Sequence, residues 1–294
     1  MTDTFISRAT RIAFQGEAGA YANLAAREAL PHAAAIPCPT FEDAIAAVRE
    51  CTTDLCIIPV ENSLHGRIAD IHHLLPQASL YIMGEHFHRV RHQLLGVKGA
   101  KLAGLKTVFS QGPALGQCRK IIRGLNLHPQ VWHDTAGSAR HVAELKDASA
   151  CAIASSLAAE IYGLDVLKAD VEDAAHNMTR FLIMAPEPDD APPDEGPVIT
   201  TFIIRVRNVP AALYKALGGF ATNGVNMTTL ESYQLGGSFN ATQFYADIEG
   251  HPEERSVRLA LEELKFFCAS MTVLGVYAAH PFRKHMPPTE AHST

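Results

Sequence analysis

Short apolar runs, each followed by a polar or glycine-rich turn and then by a helical pattern, dominate residues 11–184 of this chain. The clearest run is Leu55–Val60 (LCIIPV), which is continuously apolar and has the length of a strand. A strand that is apolar on both faces is typical of the interior of a parallel sheet. Strands that alternate with helices predict an α/β domain, with functional side chains at the carboxyl ends of the strands.

The same alternation predicts further elements along this region. Thr40 directly precedes a helical pattern, and Asp43 lies three residues after Thr40. This spacing predicts a capping box. One helix is expected to run from the SQGPAL stretch to Arg123. Strands are predicted at Arg11–Phe14, Leu55–Val60, Leu105–Phe109, Gln130–His133, Ala150–Ala154 and Thr179–Met184, and helices at Ala22–Leu30, Thr40–Glu50 and Ala139–Leu145.

Residues 185–197 (APEPDDAPPDEGP) interrupt this pattern with five prolines and five acidic residues. Such a segment predicts an extended linker. The chain beyond it has the order βαββαβ, which predicts a ferredoxin-like fold with a turn at Gly236-Gly237. The polar, proline-containing tail is predicted to be disordered from Arg283 onward. The predicted elements are strands at Val198–Val206, Val225–Tyr233, Asn240–Ile248 and Met271–Ala278, and helices at Pro210–Thr222 and Glu253–Phe267.

Composition argues against several classes of protein. The net charge of −6 provides no basic footprint for nucleic acid or an anionic membrane. No stretch reaches 18 apolar residues, and the N-terminus lacks the pattern of a secretory signal. The six cysteines include no CxxC pair, so we expect reduced thiols and a cytoplasmic protein. The fifteen histidines match no structural zinc spacing and no HExxH motif, so no metal site is predicted.

Five stretches of the N-terminal region occur in the order typical of prephenate dehydratases, and the chain resembles that family over residues 10–185. The stretches PVENSLHG and TRF are the most specific of these matches. After the linker, PAALYKAL and LESYQ resemble the ACT domain that in this family binds phenylalanine. The five N-terminal stretches are FQGEAGAYANLAA, IIPVENSLHGRI, SQGPALGQC, DTAGSA and NMTRF.

The resemblance implies a catalytic domain of two lobes, like a type II periplasmic binding protein. Lobe one would comprise residues 10–84 plus 174–185, and lobe two residues 85–173. A linker at 186–197 and an ACT domain at 198–280 would follow, and the chain would form a homodimer or homotetramer.

The activity that the resemblance implies is the cofactor-free conversion of prephenate to phenylpyruvate, with loss of carbon dioxide and water. Hydroxide is a poor leaving group, so the site must donate a hydrogen bond or a proton to it. We expect Thr179 to contact the leaving hydroxyl and Asn62 and Gln117 to orient the substrate. Glu61 or Asp134 would be the proton source if burial raised its pKa. The full implied set is Thr179, Asn62, Gln117, Glu61, Ser110 and Asp134 for catalysis, Ser63, Thr135, Arg180 and Phe181 for substrate, and Ala211, Ala212, Leu213, Asn226, Glu231 and Ser232 for the effector.

Several of these residues also have a purely structural interpretation, whereas Asn62 and Gln117 are harder to explain in that way. Serine, threonine and aspartate are common helix N-caps, which covers Ser63, Ser110, Asp134 and Thr135. Arg180 is equally typical of a pair with a structural carboxylate, and Phe181 is more typical of a core. Arogenate dehydratase and a non-catalytic amino-acid-binding regulator stay open as alternative functions, and a passive dimerisation module stays open for the second domain.

Seven residues at four sites differ from the usual pattern of the family. Gln111-Gly112-Pro113 follows Ser110 where the family usually reads His-Pro-Gln, and Ala22 stands where a serine is usual. In the second domain Ala211 replaces the usual glycine of the effector loop, and Tyr233-Gln234 replaces Arg-Pro. Phenylalanine binding is therefore a weaker implication of the resemblance than catalysis.

Overall fold

A computed structural model describes residues 5–207, 209–234 and 241–285, without the side chains of residues 69, 70, 72, 241, 242 and 285. The chain divides into two compact units. The larger unit comprises Ala9–Ile68 and Phe87–Phe181, and the smaller one takes the N-terminal helix, residues 69–86 and the chain from Leu182 onward. None of the described helices combines the length and the apolar character that crossing a bilayer requires.

Two mixed sheets form the framework of the larger unit. Its strands are β1 (Arg11–Gln15), β2 (Ala34–Cys38), β3 (Leu55–Asn62), β4 (Gly66–Arg67), β5 (Tyr81–Arg89), β6 (Gln93–Gly96), β7 (Thr107–Ser110), β8 (His128–Val131), β9 (Ala150–Ala154), β10 (Asp165–Lys168) and β11 (Met178–Ala185). The first sheet has the order β2-β1-β3-β11-β5, with β4 paired to β3, and the second has the order β10-β6-β9-β7-β8. Strands β5 and β11 each run from one unit into the other.

Helices alternate with these strands, as the sequence predicts. They are α1 (Phe5–Arg8), α2 (Tyr21–Ala29), α3 (Phe41–Arg49), α4 (Ala69–Leu74), α5 (Gly112–Gln117), α6 (Arg119–Gly124), α7 (Thr135–Leu145) and α8 (Ser156–Tyr162). The predicted capping box of α3 is confirmed, because the Thr40 hydroxyl accepts the backbone N–H of Asp43 while the Asp43 carboxylate accepts that of Thr40. The α/β class is confirmed as well.

The apolar run in β3 is an inner strand, as predicted. β1 pairs in parallel with both β2 and β3. β3 continues two residues beyond the apolar run, so Glu61 and Asn62 are strand residues rather than part of a turn. They pair with Arg67 and Gly66 of β4, and this short hairpin precedes α4 where the sequence predicts a turn leading directly into a helix.

The helix predicted to run as far as Arg123 is broken at Cys118. The Asp173 carboxylate accepts the backbone N–H groups of Arg119 (3.0 Å) and Lys120 (3.1 Å), and so begins a second helix there. The backbone N–H of Asp173 donates to the carbonyl of Gln117 (2.7 Å). A segment distant in sequence therefore ends α5 at Gln117 and begins α6, which no local pattern could indicate.

The smaller unit contains the predicted βαββαβ module. Its elements are β12 (Val198–Val206), α9 (Ala212–Thr222), β13 (Met227–Gln234), β14 (Ala241–Glu249), α10 (Arg255–Phe267) and β15 (Cys268–Ala278). The four strands form an antiparallel sheet in the order β13-β14-β12-β15. Phe202, Phe220, Val257 and Leu264 are core residues that the sheet and the two helices share. The predicted turn at Gly236-Gly237 lies outside the described residues.

The predicted disorder of the tail is wrong for residues 283–285. A 3₁₀ helix spans Pro281–His285, and Arg283 donates to both carboxylate oxygens of the buried Glu85. This pairing depends on a partner almost 200 positions earlier in the chain, so composition alone could not reveal it. Residues 286–294 lie outside the described range.

Ala211 has a left-handed backbone conformation at the N-cap of α9, with φ 60° and ψ 18°. An L-residue pays about 1 kcal/mol or more for this conformation, whereas glycine does not. We therefore expect Ala211→Gly to raise the free energy of unfolding of the smaller unit by about 1 kcal/mol, measured by urea denaturation. Ala212→Gly, inside the helix, should lower it instead by about 1 kcal/mol. A decrease for Ala211→Gly would contradict the assigned strain.

Candidate active site

Asn62 lies at the centre of the candidate site, at the end of β3. Its Oδ1 accepts the backbone N–H groups of Leu64 (3.0 Å) and His65 (3.1 Å), in an Asx turn. Its Nδ2 donates to Thr179 Oγ1 (3.0 Å) and to Asn177 Oδ1 (2.8 Å). β3 and β11 are neighbours in the sheet, and the backbone N–H of Ser63 donates to the carbonyl of Met178 (2.9 Å), so the end of β3 lies beside the start of β11.

Asn177 connects this pair to Gln117 at the end of α5. The Nδ2 of Asn177 donates to Gln117 Oε1 (3.0 Å), and Asn177 is completely buried. The structure thus brings together Asn62, Gln117 and Thr179, which belong to three separate sequence motifs. The connection runs through a fourth residue to which the sequence assigned no role.

His92 and Tyr21 extend the network beyond Gln117. The Nε2 of His92 is 2.6 Å from Gln117 Oε1, and its Nδ1 is 2.7 Å from the Tyr21 hydroxyl oxygen. The backbone N–H of His92 donates to Glu172 Oε2 (2.9 Å). Burial lowers the pKa of His92 and outweighs the raising effects of Gln117 and Glu172, so the imidazole is neutral at pH 7.

Thr179 is buried, and its hydroxyl can donate to a bound molecule. Asn62 Nδ2 donates to the hydroxyl oxygen, and no acceptor for the hydroxyl proton exists in the described part of the chain. A hydroxyl held in this way offers a directed hydrogen bond to an oxygen that gains negative charge. Such a donor stabilises a departing oxygen without a complete proton transfer.

Glu61 of β3 forms an ion pair with Arg180 of β11, and Phe181 follows Arg180 in the same strand. The Arg180 side chain is only 2% exposed, and its Nη1 is 2.9 Å from Glu61 Oε1. Phe181 is buried in the core. The observed contacts match the structural interpretations of Arg180 and Phe181, and they assign Glu61 to the charge balance of a buried guanidinium.

The two serines predicted for the catalytic site, Ser63 and Ser110, donate their hydroxyl protons to backbone carbonyls. Ser63 Oγ donates to the carbonyl of His176 (2.8 Å) and accepts the backbone N–H of Met178 (2.9 Å). Ser110 is completely buried and donates to the carbonyl of Ile153 (2.6 Å). Ser63 joins β3 to β11 and Ser110 joins β7 to β9, so both hold the framework of the site.

Asp134 and Thr135 lie at the start of α7. Asp134 is its N-cap, and Oδ1 accepts the backbone N–H of Gly137 (2.7 Å). Thr135 is buried, and within the described residues its hydroxyl has no hydrogen-bond partner. Of these two residues, Thr135 is therefore the one that has a polar group available to a ligand.

The turn after β1 in the first sheet is fastened to helices of the second sheet. The Glu17 carboxylate accepts two hydrogen bonds from Arg140, each 2.8 Å, and Arg140 lowers the pKa of Glu17. Ser155 Oγ donates to the carbonyl of Gly19 (2.5 Å), whose φ is 91°. A Cβ atom at Gly19 would lie 2.8 Å from Ala158 Cα, so only glycine permits this close approach.

The predicted effector residues lie in two parts of the βαββαβ module. Ala211, Ala212 and Leu213 form the start of α9, and Glu231 and Ser232 belong to β13. Asn226 precedes β13, and its Nδ2 donates to Glu249 Oε2 (3.0 Å).

Three residues of the network were not assigned a role from the sequence. Asn177 lies within the NMTRF stretch and Tyr21 within FQGEAGAYANLAA, so membership in a motif was the available signal. His92 was grouped with histidines that lack metal spacing. The local indication was its position directly before β6 (QLLG), which begins opposite the carboxyl end of β9.

Comparison with known proteins identifies the family. The sequence model of the prephenate dehydratase family matches residues 12–189. The bifunctional N-acyl-homoserine lactone acylase/prephenate dehydratase of Komagataeibacter europaeus is 52% identical over 273 residues, which cover 93% of this chain and 97% of that protein. Arogenate dehydratase 2 of Petunia hybrida is 38% identical, with 91% of this chain and 71% of that protein covered.

A solved structure agrees with this assignment. The prephenate dehydratase of Arthrobacter aurescens, crystallised in complex with L-Phe, superposes with a TM-score of 0.82 at 28% identity, covering 92% of this chain and 90% of that one. This chain belongs to the prephenate dehydratase family.

Proposed function

We propose that this protein converts prephenate to phenylpyruvate, carbon dioxide and water. The observation that carries the proposal is the direct hydrogen bond from Asn62 to Thr179, joined through Asn177 to Gln117. This arrangement leaves the Thr179 hydroxyl proton to donate outward. A family of dehydratases supplies the reaction class, and the site supplies a donor suited to a departing hydroxyl.

In the proposed reaction the ring carboxylate leaves as carbon dioxide, and its bonding electrons complete the aromatic ring. The ring C–O bond breaks at the same time, and the departing oxygen takes up one proton from the solvent to leave as water. Thr179 donates a hydrogen bond to that oxygen as negative charge develops. A threonine hydroxyl is too weak an acid to supply the proton itself, so its role is polarisation.

The test is turnover of prephenate by the full-length protein. We expect phenylpyruvate to form at neutral pH without any added cofactor, followed by its absorbance in alkali. Absence of phenylpyruvate above the non-enzymatic rate would contradict the proposal and favour a non-catalytic amino-acid-binding regulator.

Arogenate is the alternative substrate within the same reaction class, because the Petunia relative carries the name arogenate dehydratase. The two substrates differ by one amino group in place of one keto group. The comparison requires kcat/KM for both compounds with the same preparation. We propose that prephenate is preferred, since the bacterial relative at 52% identity carries the name prephenate dehydratase. A larger kcat/KM for arogenate would reverse this choice.

Hydrolysis of N-acyl-homoserine lactones is a second candidate activity, because the same bacterial relative is named as bifunctional. Amide hydrolysis needs an activated nucleophile or water. The two serines of the site donate to backbone carbonyls rather than to a base, which favours the dehydratase. Release of homoserine lactone from an acylated substrate, measured beside prephenate turnover, would establish the second activity.

We further propose that the βαββαβ module is an ACT domain that binds phenylalanine and inhibits turnover. The L-Phe complex of the Arthrobacter relative supports this effector. Calorimetry with phenylalanine and with tyrosine tests this binding, and the absence of binding heat from both would indicate a passive module.

We also propose that the protein is a cytoplasmic homodimer or homotetramer. Its catalytic domain would comprise residues 10–185 and have two lobes like those of a type II periplasmic binding protein.

A further inference from the structure

The orientation of Asn62 is fixed by the backbone. Its Oδ1 faces two backbone N–H groups, those of Leu64 and His65, and a backbone N–H can only donate. The other end of the amide must therefore be the NH₂ group. Asn62 thus presents donors, and only donors, to Asn177 and Thr179.

This orientation determines the next two amides in turn. Asn177 must accept from Asn62 with Oδ1, so its own Nδ2 points to Gln117. Gln117 must then accept with Oε1, because an NH₂ group there would face another NH₂ group. A flip of any one amide would place two donors against each other in a buried position.

His92 completes the assignment on the far side of Gln117. Gln117 Oε1 is an acceptor, so His92 Nε2 carries a proton and donates to it at 2.6 Å. A neutral imidazole then has an acceptor at Nδ1. The Tyr21 hydroxyl lies 2.7 Å from that Nδ1 and 3.2 Å from the carbonyl oxygen of Arg91, and we assign its proton to the shorter contact. Tyr21 keeps its proton, since burial raises the pKa of the phenol well above its usual value.

We propose that Tyr21 and His92 are positioning residues that hold the Gln117 amide with its carbonyl inward and its NH₂ group free to bind an anionic oxygen of the substrate. Asn177 and His92 together occupy both lone pairs of Gln117 Oε1. The Gln117 NH₂ group has no hydrogen-bond acceptor within the described ranges of the chain. The claim that this group meets substrate depends on the proposed function, whereas the orientation of the amide does not.

The hydrogen-bond donors of this part of the site predict which groups of a ligand can bind there. Gln117 Nε2 and the Thr179 hydroxyl are both donors, so this part of the site suits carboxylate or hydroxyl oxygens. An ammonium group placed there would meet no acceptor. Prephenate carries two carboxylates and a ring hydroxyl, which match a surface made of donors.

Two substitutions of His92 separate positioning from packing. His92→Gln keeps an N–H donor near the position of Nε2, whereas His92→Leu has a similar size and no donor. We expect His92→Leu to lower kcat/KM for prephenate by about tenfold or more, and His92→Gln to stay within about threefold of the wild type. His88→Gln is the matched control, because His88 is also buried beside Tyr21 but contacts Glu28.

The tautomer of His92 tests the positioning role separately from packing, because a merely structural role would not affect it. In ¹⁵N-histidine NMR spectra of the full-length protein at pH 7.5, assigned with His92→Gln, we expect the Nε2–H form. Tyr21→Phe removes only the hydroxyl, so the Nδ1 signal of His92 should move while Nε2 stays protonated against Gln117 Oε1. The side-chain NH₂ signals of Gln117 should move in His92→Leu and stay in place in His88→Gln.

The outcomes distinguish the orientation from the reaction. An Nδ1–H tautomer of His92, or equal kcat/KM for His92→Leu and the wild type, would overturn the positioning role. Equal losses in His92→Leu and His92→Gln would overturn it as well, since packing alone would then explain them. If the wild type does not convert prephenate, the proposed reaction fails, while the tautomer and the Gln117 signals still decide whether the amide is held as described.

Discussion

Thr179→Val is expected to lower kcat for prephenate by roughly 10²- to 10³-fold, as does the loss of one preorganised donor in other enzymes. Valine has the shape of threonine, so the packing of β11 is retained. Asn62 Nδ2 keeps two acceptors, Asn177 Oδ1 and the carbonyl of Met178, so the free energy of unfolding should fall by about 1 kcal/mol at most. Steady-state kinetics and urea denaturation measure the two effects.

Thr179→Ser is the matched control for this substitution. Serine keeps a hydroxyl that can accept from Asn62 and donate outward, so kcat should stay within about tenfold of the wild type. KM should change little in either variant if the contact strengthens only as the leaving oxygen becomes charged. Full kcat in Thr179→Val would contradict the assigned role and leave Thr179 as a residue of the strand.

The elements that could be predicted are those whose signals are local. The apolar run of β3, the capping box of α3 and the whole βαββαβ order follow from periodicity and caps within a few residues. β2 and β10 were missed because they are edge strands with mostly exposed residues, and Pro37 within β2 counts against a strand. The break at Cys118 was missed because Asp173 imposes it from a distant segment.

The site divides in a similar way. Asn62, Gln117 and Thr179 were assigned from motifs, and the structure brings them together. The sequence could not show that Ser63 and Ser110 spend their hydroxyl protons on backbone carbonyls, because the acceptors lie on other strands. Nor could it show the orientation of Gln117, which depends on a series of hydrogen bonds that begins at two backbone N–H groups after β3.

Arg283→Met is expected to lower the free energy of unfolding of the smaller unit by about 3–5 kcal/mol. The Glu85 side chain is completely buried, and Arg283 Nε and Nη2 lie 2.5 Å and 2.8 Å from its two oxygens. The backbone N–H of His280 also donates to Glu85 Oε1 (3.0 Å). Methionine fills much of the volume of the arginine but leaves a buried carboxylate without its guanidinium, which accounts for the large effect.

Lys284→Met is the matched control, because it removes one positive charge from an exposed side chain of the same 3₁₀ helix. Its free energy of unfolding should lie within about 0.5 kcal/mol of the wild type. Glu85→Gln combined with Arg283→Met removes both charges and keeps an acceptor for His280, so the double variant should regain a large part of the loss. Urea denaturation of the three variants measures these differences. A double variant no more stable than Arg283→Met would show that the loss comes from packing rather than from the uncompensated carboxylate.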